Sequence, residues 1–219
     1  MDNLNADFHI HSKYSHDSIM EPRKIVKRAK KVGLSCIAIT DHNTICGALE
    51  AKQYEKEYDI TVIVGTEIST DIGDLIGLHV GEEIRSRQWE DVIEEIREQG
   101  GLAVLPHPYR SHKEIDAVAK EVDFIEVWNS RSSEEENLKA MQLGKIQPSH
   151  HLRGSDAHLY REIGNVNIQI DLHYWQLQEI VSQVYASKTD IILSQIISYV
   201  KRGDYERLVK DGLFYLCKK

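Results

Sequence analysis

The chain has 219 residues, of which 41% are hydrophobic and 28% charged, with a formal net charge of −8. That length and apolar share suit one α/β domain with a substantial core. The acidic balance, with no Lys/Arg stripe interleaved with aromatics, makes a nucleic-acid duplex a poor partner. Apolar runs such as Ile37–Ile39 and Thr61–Val64 are strand-sized and too short to span a bilayer. No basic segment followed by an apolar stretch opens the sequence, and Cys36, Cys46 and Cys217 are scattered without CxxC spacing. Both features fit a reducing cytoplasm.

The first element is "ADFHIHSKYSHDS", Ala6 to Ser18, in which Asp7, His9 and His11 alternate with Phe8 and Ile10. The period of two predicts a strand whose three polar groups leave from one face, while Phe8 and Ile10 anchor the other. Two imidazoles and a carboxylate in a row form a metal-ligand set, where a solvated strand would carry Thr, Lys or Glu.

The next stretch, "EPRKIVKRAKKVG", reads as a helix opened by Pro22, buried along Ile25, Val26 and Ala29, and ended at Gly33. A buried strand with a polar tip follows in "LSCIAITDHN", then a helix in "TICGALEAKQYEKEYD" and a strand in "ITVIVGTEIS". "DLIGLHV" is a short strand, and "SRQWEDVIEEIREQG" a helix closed by Gly100 and Gly101. "LAVLPHP" and "FIEVWNS" are strands, and a helix around Glu134–Leu143 precedes "SHHLRGSDAH". This repetition with buried, non-alternating strands predicts parallel strands joined by βαβ connections.

From about Asp171 the character changes. "YWQLQEIVSQVYA" and the segment from Thr189 onward are amphipathic, and the expectation is a helical C-terminal segment over 171–219 packed on a barrel core over 1–170. Trp175, Tyr199 and Tyr205 read as packing residues. With no internal repeat or linker, the whole chain reads as one domain.

The polar residues fall at the C-terminal ends of the strands, the face where α/β barrels place their chemistry. In order they are His9 and His11, Asp17, Asp41 and His42, Glu67, Asp74 or His79, His107, and Asp156 and His158. Crowding so many carboxylates and imidazoles is costly unless divalent cations neutralise them. Arg110, Arg131 and Arg153 each lie just past a strand-end motif, where a guanidinium suits phosphate, and Asn129 supports the same pocket. His112, His150 and His151 read as solvent-facing loop residues.

"DFHIHSKYSHDS", "ITDHN", "VGTEIS", "LPHP" and "RGSDAH", spread from Asn5 to Ile170, resemble the successive motifs of the PHP (polymerase and histidinol phosphatase) family. The resemblance implies a distorted (βα)7 barrel and two to three divalent metal ions (Mn, Fe or Zn) that hydrolyse phosphate esters through an activated water. By the same resemblance, His9, His11 and Asp156 hold the first metal, Glu67 bridges it to a second held by His107, and Asp17, His42 and His158 hold a third. Members of the family usually have a further second-metal His directly before an apolar-apolar-Gly-apolar run. Here the run is "LIGL", preceded by Asp74 and followed by His79. Register favours Asp74, because His79 has the opposite strand parity, although a bulge at Gly77 would bring His79 round. A weaker second site is the expectation.

The catalytic set expected from these motifs is Glu67, Asp156 and Asp41. Asp41 and His16 are both candidates for the general acid, with Asp41 favoured as a carboxylate that orients a ligand histidine. The expected function is hydrolysis of a small phosphomonoester. The alternatives are an exonuclease-like phosphodiesterase acting on nucleic-acid ends, a histidinol phosphate phosphatase proper, and a metal-binding regulatory module without catalysis.

Overall fold

The computed structural model describes residues 4–147 and 150–216, so Cys217 lies outside the described residues. Nine strands form one sheet in the order β7-β6-β5-β4-β3-β2-β1-β8-β9. They are β1 (Leu4–Ile10), β2 (Cys36–Ile39), β3 (Thr61–Ser69), β4 (Asp74–Leu78), β5 (Leu102–Leu105), β6 (Phe124–Asn129), β7 (His150–Gly154), β8 (Val166–Asp171) and β9 (Gln176–Gln183). The sheet curls until the end of β7 meets β1, where the His11 N–H donates to the Ala157 carbonyl and the Ala157 N–H to the His9 carbonyl. The result is a nearly closed barrel.

Helices α1 (Pro22–Lys31), α2 (Cys46–Lys52), α3 (Glu55–Tyr58), α4 (Trp89–Glu98), α5 (Ile115–Glu121) and α6 (Glu134–Ile146) connect the strands. In α1, Pro22 stands in the first turn and Ile25, Val26 and Ala29 are buried, as the spacing predicts. Those residues join Ile37, Ile39 and Val62 of the sheet in one outer layer. A second outer layer packs α4 and α5 onto Ile68, Leu75, Ala103 and Leu105. Ala6, Phe8, Ala38, Ile63, Ile76, Leu78, Val104 and Phe124 fill the barrel below the strand-end rim.

The structure departs from the sequence-based expectation in three places. First, the barrel is not an unbroken parallel βα series, because β4 runs antiparallel to both β3 and β5. Only Thr70–Gly73 separates β3 from β4, and a parallel return needs a crossover of about a dozen residues. Second, "YWQLQEIVSQVYA" is not helical: it supplies β9, antiparallel to β8. The Asp171 carboxylate accepts the His173 and Tyr174 N–H groups and turns the chain back. The helical segment proper is α7 (Lys188–Arg202) and α8 (Tyr205–Leu216). Third, β1 carries a register shift against β2 between Asp7 and Ile10. This bulge separates residues that strict alternation would keep together: Phe8 turns into the barrel against Trp175, at 5.6 Å, and Ile10 outward onto α1.

Candidate metal centre

The bulge leaves His9 and His11 as neighbours at the top of the barrel, 1% and 0% exposed. Their Nε2 atoms are 3.1 Å apart. Glu67 Oε2 lies 3.5 Å from the first and 3.3 Å from the second, and Asp156 Oδ1 lies 3.5 and 3.2 Å from them. The other Glu67 oxygen, Oε1, turns away to His107 Nε2 at 2.9 Å, where Asp74 completes a second group. Asp17 Oδ2 meets His42 Nε2 at 3.2 Å and His158 Nε2 at 3.0 Å, a third group next to His11. All nine residues expected as ligands are therefore brought together, with Glu67 spanning two of the groups.

This donor set fits divalent cations. The His9 and His11 nitrogens and a Glu67 oxygen lie close enough to share one cation, the Asp156 carboxylate approaches the same two nitrogens, and Asp17 Oδ1 is buried with no hydrogen-bond partner. An unsatisfied buried acceptor costs about 1–3 kcal/mol. Burial raises the Glu67 carboxyl, yet the imidazoles of His42 and His9 outweigh it and hold Glu67 well below the carboxylate range. Burial depresses both histidines of the close pair. Asp156, Glu126 and Glu67 lift His9 well above the usual imidazole value, whereas His158 helps burial push His11 down to about 3. Mixed nitrogen and oxygen donors of this kind suit Mn, Fe or Zn.

Asp74 reaches the site by the parity argued from the sequence, on the interior face with Ile76 and Leu78, and the strand direction then places it at the rim. Because β4 is antiparallel, its first residue sits beside the last residue of β3, with Ser69 opposite Asp74. His79 follows the other end of β4 and packs edge-on against Trp175 at 5.7 Å, at the far end of the barrel. Asp7 also stays out of the ligand groups. Its Oδ1 accepts the Ser155 and His9 N–H groups at 3.0 and 3.4 Å, and burial pushes its carboxyl up to about 7.

A cavity of about 390 Å³ opens over the three groups. Arg110 and Arg131 line it, as do His16 and Asp17. Arg110 Nη2 donates to Asp156 Oδ2 at 2.6 Å, and Arg131 Nη1 to Glu162 Oε1 at 2.7 Å. Asn129 is buried, and its Oδ1 accepts the Arg131 N–H at 2.9 Å and Arg110 Nη1 at 3.5 Å. Arg153 is elsewhere: one residue before Gly154 on β7, it faces outward and hydrogen-bonds Gln183 of β9. Asp41 is likewise outside the cavity lining, its Oδ1 and Oδ2 held by the Ser12 N–H and hydroxyl at 2.5 and 2.6 Å.

Glu126 escapes the sequence pattern, and His112 departs from the solvent-facing position expected for it. Glu126 is 3% exposed, at the centre of "FIEVWNS". Its Oε1 accepts His9 Nδ1 at 3.0 Å, and its Oε2 accepts the His107 N–H at 2.8 Å and Asn129 Nδ2 at 2.9 Å. The available signal was a lone carboxylate inside an otherwise apolar strand. His112 is half-buried rather than solvent-facing: its Nε2 donates to the Asp74 carbonyl at 2.7 Å. His151 is similarly half-buried and donates to the Gly144 carbonyl, while His150 is exposed. Gly154 is required by close approach, since a Cβ there would lie 2.1 Å from Glu126 Oε1 and 2.5 Å from His9 Cβ.

An uncharacterized protein of Methanocaldococcus jannaschii is 50% identical over 117 residues, 48% of this chain and 68% of its own length. A 5'-3' exoribonuclease of Haemophilus influenzae is 44% identical over 64 residues, which cover 29% of this chain and 23% of the exoribonuclease. Among solved structures, a two-domain protein from Bacteroides vulgatus containing a predicted PHP-like metal-dependent phosphoesterase superposes with a TM-score of 0.67 at 19% identity, over 77% of this chain and 59% of that one. The PHP domain profile matches residues 7–141, more than half of the sequence. The chain belongs to the PHP domain family.

Proposed function

We propose that this chain hydrolyses phosphomonoesters, of small metabolites or nucleotides, at the centre described above. The observation that carries the reading is the divergence of the two Glu67 oxygens, one toward His107 and one toward His9 and His11, beneath a cavity that also holds Arg110 and Arg131. Divalent cations bound by these groups supply the positive charge that activates water and polarises a phosphoryl oxygen. His9, His11, Glu67 and Asp156 would hold one, Glu67, Asp74 and His107 a second, and Asp17, His42 and His158 a third. Arg110 and Arg131 present guanidinium groups where the phosphoryl oxygens enter, oriented by Asp156 and Glu162. One Asn129 side-chain oxygen accepts from the Arg110 guanidinium and from the Arg131 backbone N–H.

The similarity to an exoribonuclease favours a second reading, removal of nucleotides from strand ends. The net charge of −8 and the small cavity weigh against it. Against a regulatory module without catalysis stands the retention of all nine expected ligands, which fall in four overlapping His/Asp/Glu groups.

The test is Glu67→Gln together with a substrate panel of phosphomonoesters, nucleotides and short oligonucleotides. The variant should fold, retain fewer cations and lose hydrolysis, because an amide cannot bridge as an anion. Full turnover with full metal content in that variant would overturn the reading.

A further inference from the structure

Residues 11–21, between β1 and α1, carry Asp17 to the third group without a helix or strand of their own. Within this segment the Lys13 N–H donates to the Met20 carbonyl at 2.7 Å and the Ser15 N–H to the Ser12 carbonyl at 3.0 Å. The carbonyls of Lys13, Ser15 and Ser18 instead accept from the Lys201 ammonium of α7, at 2.7 Å for Lys13 and 3.0 Å for Ser18. An ammonium has three donors and no acceptor, so these three carbonyls saturate it. Hydrogen bonds from a charged donor are also the stronger kind. Elsewhere α7 is held by Arg161 on Asp190 and by Arg131 on Ser194. The helix lies outside residues 7–141, which match the PHP domain profile, whereas the segment it grips lies inside them.

We propose that Lys201 is a positioning residue for the third cation group. By gathering the carbonyls on either side of Asp17, it holds that carboxylate toward His42 and His158, so that docking of α7 and binding of the cation stabilise each other. The inference rests on the metal centre described above and adds to it a residue that touches no ligand atom. The physical reason is entropic: a carboxylate on an irregular segment keeps one position only when its backbone is ordered, and Lys201 supplies that order in advance of the cation. Coupling of this kind is reciprocal. If the docked helix tightens the cation, the cation must tighten the docked helix by the same factor. A lysine that served only to attach the C-terminal helices would leave the two independent, and its positive charge alone would weaken cation binding.

The experiment follows Mn binding to the full chain by equilibrium dialysis, and backbone amide exchange by mass spectrometry with and without saturating Mn. In Lys201→Met, one cation per chain should bind about 10–100-fold more weakly than in the wild type, the effect of losing a group that orients a ligand. Asp17→Asn should weaken the same cation. In the wild type, Mn should slow exchange across α7 by a similar factor, and Asp17→Asn should abolish that slowing. Lys188→Met, at the opposite end of α7, should leave both readings as they are. The exchange comparison of wild type with Asp17→Asn decides the matter even if Lys201→Met fails to fold. Mn affinity in Lys201→Met equal to or above that of the wild type, or exchange in α7 indifferent to bound Mn, overturns the inference while leaving the metal centre standing. A wild type that binds no Mn overturns the centre and the inference together.

Discussion

Replacing Glu126 with Gln tests whether a carboxylate outside the ligand groups governs them. Glu126 accepts three hydrogen bonds: His9 Nδ1 on one oxygen, and the His107 N–H and Asn129 Nδ2 on the other. A carboxamide has one acceptor oxygen, so one side must present N–H groups to donors. If the amide oxygen keeps His107 and Asn129, the NH2 faces His9 and drives the imidazole proton from Nδ1 to Nε2. That nitrogen is the one pointing at Glu67 and Asp156, so its lone pair is lost to a cation. If the amide is flipped, two donors face an NH2 in a buried site. Either arrangement costs about 1–3 kcal/mol in the cation-free protein, or roughly 2–4 °C of melting temperature per kcal/mol for a chain of this size. Loss of a carboxylate that orients a ligand histidine weakens metal binding about 10–100-fold, equivalent to about 1.4–2.7 kcal/mol. Competition of the variant with a chromogenic chelator for Mn or Zn measures the second effect, and thermal unfolding without metal the first. A fall in melting temperature with wild-type cation affinity would refute the orienting role and leave Glu126 as a buried structural acid.

Purified wild-type protein should carry at least two divalent transition metals per chain by elemental analysis, and a folded, metal-free protein that cannot be reloaded would contradict the donor geometry. Asp74→Asn should lower that count while His79→Gln leaves it unchanged, since His79 sits at the far end of the barrel beside Trp175. Gly154→Ala forces apart Glu126 and His9, whose nearest atoms would lie 2.1 and 2.5 Å from the new Cβ. It should cost metal affinity as well as about 1–3 kcal/mol of stability, read by chelator competition and thermal melts. Cys36 is buried and its thiol is pushed up to about 12 by that burial, so at any pH below this the nucleophilic thiolate is scarce. Alkylation followed by mass mapping should label exposed Cys46 in the native state and Cys36 only after unfolding; native labelling of Cys36 would contradict its placement.

Much of the site can be read from the chain because it is written locally. His9 lies in β1 and His11 just past its end, Glu67 lies two residues before the end of β3, Asp41–His42, His107 and Asp156–His158 each follow a strand, and the apolar stretch before each tip predicts where it will emerge. The start of α1 is equally local, set by Pro22 and the spacing of Ile25, Val26 and Ala29. Other features depend on partners distant in sequence. Periodicity reports which face a residue takes, and so already grouped Asp74 with Ile76 and Leu78, but not the direction in which its strand runs, so the antiparallel return of β4 emerged only in the structure. The bulge in β1 is defined only against β2, and it dismantles the single polar face that Asp7, His9 and His11 share on paper. Arg153 sits next to a site motif but on the outward parity of β7, a distinction that exists only once Gly154 is pressed against His9. The β9 segment has a mixed pattern that reads as amphipathic helix and becomes a strand because the edge of β8 is there to pair with it. Local spacing thus determines which groups can do chemistry. Strand direction, register and the free edge of a neighbouring strand decide which of them meet, because those properties belong to pairs of segments and not to either one alone.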